Sequence, residues 1–402
     1  MKILQVNVRL NEGGAANVAL DLHLRLQGVC GVESNFIYGY SKGARPNLLE
    51  FDLGGSHVSS RLQAITNFVT HRITGSNYLS ASGILSDRLW SAINEADVVH
   101  LHVLHSYYLE EIGFIERLIE KKKRVVWTLH DHWLITGRCA FLDGCNSWRD
   151  GCGACAGKKN YPPSLLDFSK NNANIKRATI DRFINHGAVF VSPSHHLAND
   201  VIYIYPNIDI RVVPNGLDLK TEKYISNYDV CVDYNSEVVK VLVIAHDLSY
   251  SGKTNQDYVR AISKLENVEL HTIGKHSLFF GDNVFNHGYV SDRENLYKII
   301  SSCDVMFFSS IVDNFPLVIG ESLCLGTPVL ATPSYAANEV LALLGGDVYD
   351  IERVLEILKG GVESIYATVG FDGPLDISLK AKKIFSGSIM LNSYKGIYDS
   401  LV

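Results

Sequence analysis

Two carboxylates flank the predicted start of a helix in the stretch SSIVDNFPLVIGESLCLGTPV, residues 309–329. An apolar strand, predicted over 304–308, leads into a polar loop with Asp313, and Pro316 opens the helix that carries Glu321. Proline at a helix start leaves the free amides of the first turn pointing outward. Such a helix end binds phosphate. Acidic groups beside it suit a ligand that has both hydroxyls and phosphates, and a nucleotide-sugar is such a ligand.

Three further positions could contribute to the same chemistry. Gly13 and Gly14 precede a predicted helix, where glycine lets the backbone approach a ligand closely, although an ordinary tight turn is an equal interpretation. Lys253 follows a predicted strand and could neutralise a leaving diphosphate, or be a solvated loop lysine. His130 ends another predicted strand and is followed by Asp131, which orients the ring or caps the next segment. The alternative for His130 is a structural histidine.

Short apolar runs alternate with helix-period stretches through the first half of the chain. The predicted strands are 3–8, 34–38, 98–103, 124–129, 188–191 and 211–213. The predicted helices are 15–26, 59–71, 108–122, 165–185 and 196–203. This alternation is typical of a parallel sheet with helices on both faces. The polar segment 221–237 interrupts it and is predicted to be a linker.

The alternation then restarts. The predicted strands are 240–245, 268–273, 284–287, 304–308 and 328–331, and the predicted helices are 256–265, 293–302, 316–325 and 338–344. The sequence therefore predicts an α/β protein of two Rossmann-like, doubly wound domains that face each other across a cleft. Ligands of such sheets bind outside the carboxyl ends of the strands, so motifs at strand ends count most.

The composition supports two cores and excludes some functions. A chain of 402 residues with 47% hydrophobic residues suits two domains. A net charge of −6 gives no general case for nucleic acid. No apolar run reaches transmembrane length, and the start MKILQVNVRLNEGG is a short strand rather than a signal peptide. We therefore expect a cytoplasmic protein with reduced cysteines.

Four cysteines are concentrated in RCAFLDGCNSWRDGCGAC, residues 138–155. Their thiolates could converge on a tetrahedral structural zinc ion, and the ligands would be Cys139, Cys145, Cys152 and Cys155. Four cysteines would leave no open position for catalysis. Reduced free thiols, or disulfide and redox chemistry, are the alternatives.

Taken together, these segments resemble the retaining GT-B glycosyltransferases of family 4, of the group 1 type. The resemblance covers nearly the whole chain and includes bacterial exopolysaccharide, O-antigen and colanic-acid transferases with a Cys-rich insertion. The matching segments are the Gly13-Gly14 loop, WTLHD at 127–131, SPS at 192–194, PNGLD at 214–218, the Lys253 region and 309–329. In the family, the last segment carries two acidic residues with seven residues between them. Asp313 takes the first position, where glutamate is usual, and Glu321 takes the second.

The resemblance implies roles for these residues. Glu321 would hold the ribose hydroxyls of the donor and Asp313 the sugar, while His130 would lie close to the transferred sugar. The catalytic residues would be His130, Asp313 and Lys253. The donor-binding residues would be Gly13, Gly14, Asn314, Phe315, Pro316, Leu317 and Glu321.

The implied domains are an acceptor-side domain 1–218 with the Cys-rich insertion 137–160, a donor-binding domain 219–380, and a C-terminal helix 381–402 that crosses back. The implied activity is that of a metal-independent, retaining hexosyltransferase. It would move a sugar from a UDP- or GDP-linked donor to a glycan, lipid-linked at the inner face of the cytoplasmic membrane, for capsule or lipopolysaccharide. It would bind no nucleic acid. A non-catalytic nucleotide-sugar-binding subunit and an epimerase or phosphorylase of the same fold are the alternatives.

Peripheral membrane contact is a further expectation. The first 200 residues carry 21 Lys and Arg against 18 Asp and Glu, and the predicted helix 59–71 mixes apolar with basic residues. Such a helix could lie on a bilayer. Packing of its apolar side chains against the domain is the alternative.

Overall fold

The chain forms two compact units. The computed structural model describes residues 1–40, 56–57, 61–75, 87–106, 108–158, 162–226 and 237–402. One unit is Met1–Pro214 with Met390–Val402, and the other is Asn215–Ile389. Each has its own parallel sheet and hydrophobic core. Within the described ranges, no helix has the length and apolar character needed to cross a bilayer.

The N-terminal unit contains a seven-stranded sheet in the residues described. Its strands are β1 (Lys2–Arg9), β2 (Glu33–Tyr40), β3 (Ser56–His57), β4 (Val98–Leu101), β5 (Arg124–Thr128), β6 (Val189–Ser192) and β7 (Ile210–Val212). Its helices are α1 (Gly14–Gln27), α2 (Arg61–Thr74), α3 (Asp87–Glu95), α4 (Glu111–Glu120), α5 (Ser169–Asn185) and α6 (His195–Ile204). A short 3-10 helix, His132–Leu134, follows β5.

The strand order of this sheet is β3-β2-β1-β4-β5-β6-β7, and every neighbouring pair is parallel. Helices cover both faces of such a sheet, so its strands are largely apolar, although β1 also buries Gln5 and Asn7. All four residues of β4 and the last four of β5 are buried. The order reverses between β1 and β4, which makes their carboxyl ends the switch point where ligands bind in this class of sheet.

The C-terminal unit contains β8 (Val239–Asp247), β9 (Val268–Lys275), β10 (Val284–Asn286), β11 (Val305–Phe308) and β12 (Val329–Ala331). Its helices are α7 (Leu219–Ser226), α8 (Gln256–Ile262), α9 (Arg293–Ser301), α10 (Leu317–Cys324), α11 (Tyr335–Ala342), α12 (Ile351–Lys359), α13 (Gly361–Val369) and α14 (Pro374–Ile384). The last helix, α15 (Gly387–Asp399), begins in this unit and belongs to the N-terminal unit from Met390 onward.

The second sheet has the order β10-β9-β8-β11-β12, again with parallel neighbours. Its switch point lies between β8 and β11. The whole of β11 is buried, and α10 follows it with Ile319 and Leu323 in the core. Gly326, with a left-handed φ of +85°, follows the C-cap of this helix three residues before β12 begins, a position where glycine is common. These elements fix the position of the stretch 309–329.

The predicted architecture of two parallel-sheet domains is confirmed, whereas several predicted boundaries are wrong. The segment 221–237 is not a linker throughout, because α7 covers residues up to Ser226 and the Asp218 carboxylate accepts a hydrogen bond from the Thr221 amide at 2.8 Å. Residues 227–236 lie outside the described ranges. The composition of this segment is polar, but helix α7 buries Thr221 and Ile225.

Side-chain caps set the start of two of the helices whose predicted boundaries are wrong, α4 and α11. The helix predicted at 108–122 begins at Glu111, because the Glu110 side chain accepts hydrogen bonds from two backbone amides of the first helical turn. The helix predicted at 165–185 begins at Ser169, whose amide donates to Asp167 at 3.0 Å. The helix predicted at 338–344 begins at Tyr335 after the Ser334 cap. Helix α2 extends three residues beyond the predicted end, and residues 59 and 60 lie outside the described ranges.

Candidate active site

The start of helix α10 carries most of the predicted donor-binding residues. Pro316 is its N-cap, in an extended conformation, and no side-chain cap hydrogen bond is formed there within the described part of the chain. The preceding residues Asn314 and Phe315 are buried. Leu317 is the first helical residue. The first-turn amides of α10 therefore have no side-chain capping partner, which is the arrangement that suits an anion.

Lys253 and Asp313 are brought together beside this helix start. Lys253 follows β8 and Asp313 follows β11, and these strands are neighbours in the sheet. The Lys253 Nζ donates a hydrogen bond to Asp313 Oδ1. The two loops are also joined through their backbones, because the Ile311 amide donates to the Gly252 carbonyl at 3.0 Å. Two predicted catalytic residues thus form a partly exposed ion pair.

Glu321 is the buried member of a partly buried ion triad. Arg293, the first residue of α9, donates from Nη1 to Glu321 Oε1 at 2.8 Å and from Nη2 to Asp218 Oδ2 at 2.8 Å. Burial, with Asp218 nearby, raises the pKa of the Glu321 carboxyl, and Arg293 opposes this rise. Burial alone would lower the pKa of the Arg293 guanidinium, but the adjacent carboxylates raise it. The guanidinium therefore stays charged and fixes the orientation of Glu321.

Sequence reasoning missed Arg293 altogether and gave Asp218 no chemical role. These residues are 75 positions apart, and Arg293 is 28 positions from Glu321. Nothing local in the sequence indicates that the three side chains meet. The available signal was weak: Asp218 belongs to the PNGLD segment, and Arg293 opens a helix after β10.

In the N-terminal unit, His130 lies in a network of histidines. It follows β5 and is half-buried, and its Nε2 is 3.1 Å from the Nδ1 of His102. His102 Nε2 is 2.8 Å from Gln5 Oε1. Behind it, His100 contacts Thr128 through Nε2 at 2.7 Å and the Tyr398 hydroxyl through Nδ1 at 2.6 Å. The sequence prediction found His130 but not His100 or His102.

The Gln5 amide determines which ring nitrogens carry protons. An amide oxygen only accepts, so His102 donates from Nε2 and accepts at Nδ1. His130 must therefore be the donor through its own Nε2. The orientation of His130 thus depends on the buried pair formed by Gln5 and His102.

These imidazoles are neutral near pH 7. Burial lowers the pKa of His130 to about 4, and His105 adds to this effect while Asp131 opposes it. Burial also lowers the pKa of His100 and His102 well below the ordinary value. A neutral imidazole at the end of β5 can donate or accept a hydrogen bond with a sugar hydroxyl, but it carries no positive charge near pH 7.

Asp131 caps the following segment rather than pairing with His130. Its Oδ1 accepts from the Trp133 amide at 2.9 Å, and its Oδ2 is 2.7 Å from His105 Nε2. Asp131 thereby fixes the start of the 3-10 helix that follows His130. The loop with Gly13 and Gly14 follows β1, and Gly13 has a φ of +94° that a non-glycine residue rarely adopts. Ligand binding by this loop stays a prediction.

The cysteine-rich loop brings its thiols near one another. Burial raises the pKa of Cys139 to about 11, and the other three thiols raise it further against the effect of Arg138. The Gly137 amide donates to Cys152 Sγ at 3.2 Å. No three of these sulfurs lie within 4.8 Å of one another in the described part of the chain. Zinc binding by Cys139, Cys145, Cys152 and Cys155 stays a prediction.

Residues 12–221 match the family model described as Glycosyltransferase Family 4, and residues 250–346 match the model described as Glycosyl transferases group 1. The chain is also 38% identical over 411 residues to the colanic acid biosynthesis glycosyl transferase WcaC of Escherichia coli (strain K12), covering 100% of both chains. The chain belongs to glycosyltransferase family 4. The first match contains Gly13, Gly14 and His130, and the second contains Lys253, Asp313 and Glu321.

Solved structures of other proteins share the fold of this chain. A sucrose-phosphate synthase from Thermosynechococcus elongatus aligns with a TM-score of 0.66 at 13% identity, over 100% of this chain and 98% of that one. Anabaena HepE in complex with UDP and glucose aligns with a TM-score of 0.63 at 14% identity, over 100% of both. The predicted GT-B fold and the predicted family are confirmed.

Proposed function

We propose that this transferase moves a sugar from a nucleotide-sugar to a hydroxyl of a glycan, with retention of anomeric configuration. The observation that carries the proposal is the group of residues at the β8 and β11 strand ends of the C-terminal unit. The segment 309–329 contains the uncapped helix start, Asp313 and the buried, oriented Glu321. The neighbouring loop after β8 adds Lys253, which pairs with Asp313. This set suits the phosphates, the sugar and the ribose of one donor.

Each group has a distinct role in this proposal. The amides at the start of α10 and the Lys253 ammonium stabilise the charge that develops on the leaving diphosphate. Such electrostatic preorganisation is commonly the largest catalytic contribution. Asp313 accepts hydrogen bonds from the transferred sugar, and Glu321 accepts them from the ribose hydroxyls. Because these residues supply the stabilisation, the proposal assigns no catalytic metal ion.

The transfer itself follows a same-face path. The bond from the anomeric carbon to the phosphate oxygen breaks, and a bond from that carbon to the acceptor oxygen forms on the same face. The acceptor hydroxyl gives its proton to the departing phosphate oxygen. His130, a neutral imidazole, positions a sugar hydroxyl and does not take this proton.

The proposed acceptor is a lipid-linked glycan of bacterial surface polysaccharide synthesis. The similarity to a protein named for colanic acid biosynthesis supports the pathway. An exposed apolar face of α2 supports a membrane-bound acceptor: Ile65, Phe68, Val69 and Ile73 are each more than 40% exposed. The amides of Leu165 and Leu166, two further exposed leucines, donate to the carbonyls of Arg72 and Ile73 and extend this face. We define these six apolar residues as the α2 patch.

The donor assignment is tested with a panel of UDP- and GDP-sugars, scored first by thermal shift and then by product formation. We expect one nucleotide-sugar to stabilise the protein. Glu321→Ala and Lys253→Ala should each lose most transfer while they keep the far-UV circular dichroism of the parent. Lys298→Ala, which removes an exposed ion pair of α9, is the matched control and should retain activity. Normal turnover by the Glu321 or Lys253 variant would contradict the site assignment, and donor binding without any turnover would favour a non-catalytic subunit.

The membrane contact is tested by co-sedimentation with vesicles that contain anionic lipid. Phe68→Ser should weaken binding because it removes an exposed ring from the α2 patch. Phe280→Ser removes an equally apolar, 80% exposed ring from the C-terminal unit and is the control. Equal binding by both variants and the parent would refute the α2 patch as the membrane contact.

A further inference from the structure

Three side chains with metal-binding groups converge in the N-terminal unit, outside the chemistry proposed above. His132 opens the 3-10 helix after β5, and His196 and Asp200 lie one turn apart on α6. Residues four apart on a helix share a face. One potential ligand atom of each side chain lies within 4.8 Å of those of the other two. The cluster therefore joins two elements that are 64 residues apart in the chain.

The separations of these atoms match a ligand shell better than a hydrogen bond. His132 Nε2 is 3.3 Å and His196 Nε2 is 3.7 Å from the same oxygen, Asp200 Oδ2. An N–H···O hydrogen bond is usually about 2.9–3.0 Å long. Ligand atoms about 2.0–2.2 Å from a tetrahedral ion lie roughly 3.3–3.6 Å apart. The two nitrogen-to-oxygen separations are thus close to the edges of such a shell, and all three atoms lie within 4.8 Å of one another.

The buried imidazole of His132 provides an independent observation. The residue is 5% exposed, and among the residues that the structure describes neither of its ring nitrogens has a hydrogen-bond partner. A buried polar group without a partner is destabilising. Its Nε2 lies 3.3 Å from the shared Asp200 oxygen without forming a hydrogen bond to it. An ion between these groups would satisfy that nitrogen.

We propose that His132, His196 and Asp200 bind one divalent transition-metal ion, for which Zn²⁺ is the best match. Two imidazoles and one carboxylate are ligands that Zn²⁺ prefers, and three protein ligands leave a fourth position for water. The ion ties the 3-10 helix to α6. Because His132 follows Asp131 directly, the ion also fixes the segment that presents His130. This site does not depend on the proposed donor chemistry.

The test is a titration of the chelator-treated, full-length protein with Co²⁺, followed by visible absorption and thermal shift. We expect d–d bands that saturate at one ion per chain for this site, and an increase in melting temperature. His196→Ala and Asp200→Asn should each weaken Co²⁺ binding more than about 100-fold, which exceeds the loss caused by removing a residue that only hydrogen-bonds to a ligand. His195→Ala, which changes the exposed neighbouring histidine on α6, is the control and should bind like the parent.

Cobalt also separates this site from the cysteine loop. Thiolate ligands give sulfur-to-cobalt charge-transfer bands, whereas imidazole and carboxylate ligands do not. Cys152→Ser should therefore keep the d–d bands of the His132, His196 and Asp200 site. The proposal is overturned if the parent shows no Co²⁺ absorption apart from bands that Cys152→Ser removes, or if His196→Ala and His195→Ala bind Co²⁺ equally well.

Discussion

Replacing Arg293 with methionine removes the cation that holds two carboxylates in the C-terminal unit. The guanidinium makes two 2.8 Å bonds, one to Glu321 and one to Asp218. Removing one partner of a buried ion pair costs about 3–5 kcal/mol. The Arg293 side chain is 32% exposed, so solvent screens part of the charge. We therefore expect Arg293→Met to lower the free energy of unfolding by about 2–3 kcal/mol at pH 8.

The loss should depend on pH in a defined direction. Burial raises the pKa of Glu321 above its unfolded value, so the folded protein binds this proton more readily than the unfolded chain does. The stability that Glu321 contributes therefore decreases as pH rises through the interval between the unfolded and the folded pKa. Without Arg293 the folded pKa of Glu321 should rise further, because the guanidinium opposes the effect of burial. The destabilisation should consequently be smaller at pH 5 than at pH 8.

Urea unfolding at both pH values measures these effects. Far-UV circular dichroism follows both units, whereas tryptophan fluorescence follows only the N-terminal unit, because residues 90, 127, 133 and 148 are the four tryptophans. Lys298→Met is the matched control, since it breaks an exposed pair with Glu294 on the same helix and should cost less than about 0.5 kcal/mol. The reasoning fails if Arg293→Met destabilises the protein no more than Lys298→Met, or by the same amount at both pH values.

Three other variants test separate parts of the structure. Tyr398→Phe should lower the free energy of unfolding by about 1–2 kcal/mol, because buried His100 loses its hydroxyl partner; a change under about 0.5 kcal/mol in urea unfolding would contradict this. If the four cysteines bind zinc, Cys152→Ser should contain one zinc ion per chain fewer than the parent, as measured by elemental analysis. An unchanged zinc content would refute that prediction. Gly274→Ala should cost at least about 2 kcal/mol, because the new methyl group would overlap the Ala245 carbonyl at a φ of +152°. A melting temperature equal to that of the parent would rule out this clash.

The sheets could be predicted because their signal is local. Strands buried on both faces are near-continuous apolar runs, and β8 and β11 (VKVLVIAHD and VMFF) show this without any tertiary information. The first residue of each helix was harder to predict. Capping depends on which side chain turns back to accept a hydrogen bond from the free amides of the first turn. Glu110, which no simple cap preference would choose, caps α4. The helices from 351 to 384 were missed because no strand separates them.

The site was predictable to the extent that strand ends locate it. Lys253 and Asp313 follow neighbouring strands, so the topology brings them together. His102 follows β4 and could have been found by the same rule, because β4 lies next to β5 and His130. Arg293 could not be found in this way. It precedes β11 and reaches Glu321 from a helix start, a position that no strand-end rule covers.

The two acidic residues of the segment 309–329 are held in different ways, and this difference bears on their roles. Asp313 pairs with a lysine that comes from a loop and is partly exposed, so the ammonium can be shared with an incoming phosphate without burying a charge. Glu321 pairs with an arginine that Asp218 also binds. Because two carboxylates hold this arginine, it keeps Glu321 in one position. A rigid Glu321 suits recognition of a part of the donor that stays fixed during transfer, such as the ribose. A partly exposed Lys253–Asp313 pair suits the groups between which the bond breaks.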